Sequence, residues 1–130
     1  MKTIEESYCS YEVSKLLKEK GFDAHCSWFY NRKGQQRHIE MAAKKRNSML
    51  SIDSCSMPTH QMAMAWLREE KGFFIEIHLV FDQFTDEPCY KALIWDLAEQ
   101  FGKPLPDDRE YMFYETCVKD ALKYTLENLI

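Results

Sequence analysis

One run constrains this chain more than any other: Phe73-Phe74-Ile75-Glu76-Ile77-His78-Leu79-Val80-Phe81-Asp82. Phe73, Ile75, Ile77, Leu79 and Phe81 fall on one face of an extended segment, and Glu76 and His78 on the other. A period of two marks a strand buried on one side. Such a strand needs hydrogen-bonding neighbours and an apolar layer over its inner face. Upstream, Pro58-Thr59 opens a helix over 59–71, with Thr59 as N-cap or Pro58 in the first turn. Its inner stripe is Ala63, Trp66 and Leu67, with Met62 at the border, and Gly72 closes it.

The same grammar appears earlier in the chain. Ser10 is a fitting N-cap, and Val13, Leu16 and Leu17 make the apolar stripe of a helix over 11–20. Gly21 supplies the left-handed residue after it, and Phe22 the accompanying apolar contact. A strand over 25–30, a turn at Asn31-Arg32-Lys33-Gly34 and a return strand over 35–41 follow. Leu17-Lys18-Glu19-Lys20-Gly21-Phe22 is similar to Leu67-Arg68-Glu69-Glu70-Lys71-Gly72-Phe73 with one residue inserted. The alternatives are an internal helix–hairpin duplication and the general habit of glycine to close helices. Residues 42–56 read as a polar loop, with room for a short strand at 49–52. Tyr114, Cys117, Val118, Ala121, Leu122, Thr125 and Leu129 line one side of a last helix over 114–129. Residues 90–101 fit a helix by period, and 90–96 fit a strand by the need to pair 73–82; Pro104 and Pro106 mark a loop.

These elements predict a single α+β domain over 1–130, with three helices on one face of a mainly antiparallel sheet. The expected core is Val13, Leu16, Leu17, Trp28, Ala63, Trp66, Leu67, Ile75, Ile77, Leu79, Val118, Ala121 and Leu122. With 130 residues and 45% hydrophobic content, the chain can build that core without cross-links. Disorder and fibrous repeats are excluded by the same composition. No apolar stretch is long enough to cross a bilayer. The N-terminus has early acids and no apolar h-region, so a cytoplasmic location is expected. The cysteines, Cys9, Cys26, Cys55, Cys89 and Cys117, are odd in number and lack close pairs, so reduced thiols and no cofactor are expected. A metal site would require His25-Cys26, His78 and Cys89 to converge.

Three blocks carry a resemblance. Tyr11-Glu12-Val13-Ser14-Lys15-Leu16-Leu17-Lys18-Glu19-Lys20-Gly21-Phe22 opens the chain's first helix. Pro58-Thr59-His60-Gln61-Met62-Ala63-Met64-Ala65-Trp66-Leu67-Arg68-Glu69 gives the pattern P-T-x-x-x-A-x-x-W-L-R-E. Residues Ala121 to Ile130 form the last. Together they resemble an uncharacterised family of small Bacteroidales proteins often associated with prophages and other mobile elements. The central block is the most specific of the three. The resemblance supplies no catalytic residues. It implies a strand after the central strand, which favours the strand reading of 90–96.

Motifs for chemistry are missing: there is no Walker loop, no G-x-G-x-x-G and no H-E-x-x-H. Charge gives a different lead. The net charge is −4, yet residues 32–46 carry Arg32, Lys33, Arg37, Lys44, Lys45 and Arg46 against Glu40 alone. Residues 82–110 carry eight acids against three bases. The basic segment is a candidate partner-binding surface. If the repeat holds, His25 and Phe29 share an open sheet face with Glu76 and His78. A His–Glu pair beside an aromatic can serve acid–base chemistry, and is equally at home on a solvated face. The sequence therefore favours a non-enzymatic accessory or protein-interaction module with an unknown protein partner. A nucleic-acid-binding module using Phe29 and the 32–46 bases is the alternative.

Overall fold

The computed structural model describes residues 5–39 and 44–130. The class is α+β, with three α-helices and two three-stranded antiparallel sheets. The strands therefore do not join one sheet as expected. The chain divides into two compact units, Met1–Ala63 and Met64–Ile130.

In the first unit, α1 (Tyr11–Glu19) starts where Ser10 Oγ accepts the Val13 N–H at 3.3 Å. Its other end is a Schellman motif: the Phe22 N–H bonds Leu17 O and the Gly21 N–H bonds Lys18 O. Gly21 takes φ 99°, which a residue with a Cβ resists. Phe22 is fully buried behind it. Strands β1 (Trp28–Tyr30), β2 (Gln36–His38) and β3 (Cys55–Ser56) form a sheet in the order β2-β1-β3. Phe29 lies opposite Arg37 on one side and Ser56 on the other. Strand β1 is shorter than the 25–30 expectation, although Cys26 still makes a bridge with Lys45. The return strand stops at His38, and the rest of that expectation, 40–41, lies outside the described residues.

The expected strand at 49–52 does not form. A 3-10 turn at Asn47–Met49 stands nearby, and the strand comes later as β3. Side-chain bonds to the backbone explain this. Asp23 Oδ1 accepts the Ser48 N–H at 2.8 Å, and the buried Asn47 bridges Phe22 O and the Ser56 N–H, each at 2.7 Å. Such bonds offer the backbone an alternative to the ladder. The Ser48 N–H holds the Asp23 carboxyl below its ordinary pKa. Lys18 Nζ reaches the carbonyls of Ser51, Ile52 and Ser54, anchoring the same loop to α1.

Helix α2 (His60–Trp66) begins where Thr59 Oγ1 accepts the Met62 N–H at 3.1 Å. It continues as one π-turn, Leu67–Lys71, closed by the Gly72 N–H on Leu67 O. A π-turn takes in one extra residue, and this is where the second helix–glycine junction is one residue longer than the first.

In the second unit, β4 (Phe73–Phe81), β5 (Pro88–Asp96) and β6 (Phe101–Pro104) pair in that order. Residues 90–96 are strand, as the pairing demand required. Nine consecutive pairs join β4 to β5, from Phe73 opposite Asp96 to Phe81 opposite Pro88. Helix α3 (Tyr114–Asn128) packs on β4 and β5, burying Cys117, Val118, Ala121, Leu122, Thr125 and Leu126. Strand β6 stands where a loop was expected. Gly102 lies opposite Trp95, and a Cβ there would come within 2.9 Å of the indole. A glycine that weakens the strand signal is thus what lets the ring lie across it. Gly102→Ala should displace the indole and cost about 1–3 kcal/mol, the range for overpacking. Tryptophan fluorescence and the thermal midpoint of the variant check this; unchanged values would contradict it.

Most of the expected core is buried, including Val13, Leu17, Ala63, Leu67, Ile75, Val118, Ala121 and Leu122. Leu16, Trp28, Trp66 and Ile77 are half-buried, and Lys71 Nζ lies 5.4 Å from the centroid of a Trp66 ring. Leu79 is exposed, which corrects its assignment to the core. Of the internal duplication, the order of helix then hairpin recurs, yet the third strand joins β1 in the first unit and β5 in the second.

Candidate functional site

Helix α3 is the reason a surface is left open in the second unit. Fifteen residues rise about 22 Å, whereas nine strand residues reach about 30 Å. The helix begins level with Tyr90, where the Tyr114 ring meets the Tyr90 ring edge-on at 5.6 Å. Among the described residues of the second unit, α3 does not extend over the hairpin beyond that point. Leu79, opposite Tyr90, is 57% exposed, and Phe81, opposite Pro88, is 61% exposed. The chain leading into α3 is tied alongside: Tyr90 and Tyr111 exchange backbone hydrogen bonds at 2.7 and 2.8 Å. Next come Met112 and Phe113, 70% and 67% exposed. Tyr111 is buried, and its hydroxyl donates to Asp120 Oδ2 at 2.7 Å, which fixes this segment on α3. Burial, then the Asp120 carboxylate, pushes the Tyr111 hydroxyl up to about 12.

Acids border this surface. Asp82 caps the hairpin loop by accepting the Phe84 and Thr85 N–H groups at 2.8 and 3.0 Å, which hold its carboxyl below the usual range. Asp86 and Glu87 follow in the loop. On the other face, beside His78, Lys91 Nζ is held by Asp108 at 2.8 Å, with Glu110 at 3.8 Å, so the acids at the apolar surface are those of the hairpin loop. An apolar centre with a charged rim is the anatomy of a protein-docking surface. The alternation of 73–81 puts Leu79 inside, and no pattern marks 112–113. The available signal was length: the strand outruns any helix that starts at 114.

The opposite face of the same sheet holds Glu76 and His78. Trp95 Nε1 donates to Glu76 Oε2 at 2.8 Å, and His78 Nε2 lies 3.4 Å from that oxygen. The residues of the expected open face are divided between the two units. His25 lies outside any strand, Phe29 belongs to β1 in the first sheet, and Glu76 and His78 belong to β4 in the second. The separation follows from the two-sheet topology. Within the second unit, Glu76 and His78 are side by side.

The basic residues are all exposed and spread along the first sheet. Arg32 and Lys33 sit in the β1–β2 turn, Arg37 opposite Phe29, and Lys45 opposite Cys26. At ~3.3 Å per residue these steps are roughly 10 Å apart. Arg46 pairs with Asp23 at 3.7 Å, and Lys44 lies beside it in sequence. Arg32, Lys33 and Arg37 share a shallow depression of about 400 Å³ with Asp53. The structure thus divides the segment rather than concentrating it.

The cysteines are unpaired, with Cys9, Cys26, Cys55 and Cys117 buried and Cys89 half-buried on β5. Burial pushes Cys9 up to about 12 and Cys26, Cys55 and Cys117 to about 11. Protonated thiols react slowly. A disulfide-exchange reagent at pH 8 should therefore titrate Cys89 first in the native chain, and five thiols after denaturation. Rapid reaction of several thiols in the native state would contradict the burial. Among the described residues, no group of three or more His, Cys, Asp or Glu is arranged to hold a metal ion, and no helix is long and apolar enough to cross a membrane.

No family model, curated protein or solved structure matches the chain.

Proposed function

We propose that the chain is a non-enzymatic accessory module that binds another protein through the uncovered end of its β4–β5 hairpin. The observation that supports this reading is the gathering of exposed apolar side chains at the hairpin end and the start of α3: Leu79 lies opposite Tyr90, Tyr90 touches Tyr114, Phe81 follows on β4, and Met112 and Phe113 lead into the helix. Single exposed apolar residues are ordinary, but a contiguous group with a polar rim is not. The acids at the rim select a partner whose apolar anchor is flanked by lysine or arginine. Aromatic residues and methionine suit the role because they bury large area with few rotamers to fix or adapt to irregular surfaces.

The test is a photo-crosslinking amino acid at Phe113 in the native host, with Met112→Ser/Phe113→Ser as the control. A specific protein adduct should form, and the partner so identified should no longer bind the double variant, while its unfolding free energy stays within about 0.5 kcal/mol of wild type, as for exposed positions. The interaction should weaken between about 50 and 200 mM salt. A partner retained by the double variant would contradict the proposal.

A further inference from the structure

Strand β4 has a second property that the docking surface does not use. Its ladder to β5 is carried by even-numbered residues: the Asp82 N–H bonds Glu87 O at one end and Leu97 N–H bonds Gly72 O at the other. By alternation, Phe73, Ile75, Ile77, Leu79 and Phe81 direct their N–H and C=O groups to the outer edge. Among the described residues, no strand pairs with that edge. The corresponding edge of β1 in the first unit is covered by β3. Native edges are usually blunted by lysine, proline, a bulge or short length. Strand β4 has nine residues, no lysine, no proline and no bulge in its register.

The sequence of this edge is complementary to itself. Placed antiparallel to a second copy about Ile77, Phe73 faces Phe81, Phe74 faces Val80, Ile75 faces Leu79 and Glu76 faces His78. We propose that β4 pairs with β4 of a second copy of this chain about a two-fold axis at Ile77, making one six-stranded sheet. Three observations agree on that register. The outward-directed residues all meet outward-directed residues, so every free N–H and C=O in the strand finds a partner. Glu76 and His78 meet as two symmetric carboxylate–imidazole pairs in close, non-hydrogen-bonded positions, where side chains approach best. Leu79 and Phe81, exposed on the helix-facing side, gain Ile75 and Phe73 beside them. Neighbouring registers lose this: an axis at Glu76 sets Glu76 against itself, and an axis at His78 sets Glu76 against Val80 and Phe74 against Asp82. The interface is isologous, as a closed dimer requires, and its backbone pairing is the mode by which strands add to open edges. It uses the edge of β4, so it stands or falls separately from the proposed use of Met112 and Phe113.

Charge exchange tests it on the full chain. The Glu76→Lys/His78→Lys variant and the His78→Glu variant each set like charges across the axis, whereas a one-to-one mixture sets lysine against glutamate. Sedimentation equilibrium should give twice 15.5 kDa for wild type, 15.5 kDa for each variant alone and twice 15.5 kDa for the mixture, with far-UV circular dichroism confirming folding. In a Cys89→Ser background, oxidised Ile77→Cys should also form a covalent dimer, because Ile77 faces itself; Phe73→Cys should not. A monomeric wild type, a dimer insensitive to both charge variants, a mixture that stays monomeric or cross-linking at Phe73 in place of Ile77 would each overturn the proposal.

Discussion

Phe22→Ala is expected to destabilise the first unit by about 3–5 kcal/mol, the range for removing a fully buried aromatic side chain. Phe22 is 1% exposed and stands directly after the left-handed Gly21. Its backbone N–H closes the Schellman bond to Leu17, while its carbonyl accepts from Asn47. Removing the ring leaves those two bonds possible but takes away the apolar contact that accompanies the helix end. The loss is a large share of the ~5–15 kcal/mol that holds a typical domain. Chemical denaturation followed by circular dichroism measures it. A loss below about 1 kcal/mol would show that the ring's site collapses without cost, against the burial seen here.

Asn47→Leu is expected to cost roughly 2–5 kcal/mol, although it adds apolar volume. The Asn47 amide joins two chain segments by donating to Phe22 O and accepting from the Ser56 N–H. With leucine, both backbone groups lose their partner in a buried place, at about 1–3 kcal/mol each. Asn47→Asp separates the two bonds: the carboxylate still accepts from Ser56 but cannot donate to Phe22. Its stability should fall between wild type and leucine near pH 7. Equal stability of Asn47→Leu and wild type would mean that the two backbone groups find other partners.

Physical reasons separate what could be read in the sequence from what could not. Local signals were legible because their chemistry is local. Ser10, Gly21 and Thr59 act within one helical turn, and the alternation of 73–81 needs only the pleat of a strand. Strand 90–96 was legible only through a demand for pairing, since its period suits a helix as well. The division into two sheets was not legible, because it depends on where β3 and β6 add, and these are short or contain glycine and proline. The Asn47 and Asp23 bonds span 25 residues in sequence, beyond any periodic signal. At the candidate surface, the acids of 82–110 were read from composition, whereas the exposure of Leu79 and Phe81 follows from the point at which α3 starts. The alternating pattern cannot tell a residue under a helix from one just past its end.

The proposed function places partner binding at the apolar hairpin end of the second unit and not in the basic segment of the first. The measurement that tests it most directly is the affinity of the Phe113-crosslinked partner for two variants side by side, Met112→Ser/Phe113→Ser and Lys44→Glu/Lys45→Glu/Arg46→Glu. The first should lose the partner and the second should keep it, because the three bases lie exposed in the first unit. Loss of binding in the triple reversal, with retention in the Met112→Ser/Phe113→Ser variant, would contradict it and move the site to the basic segment.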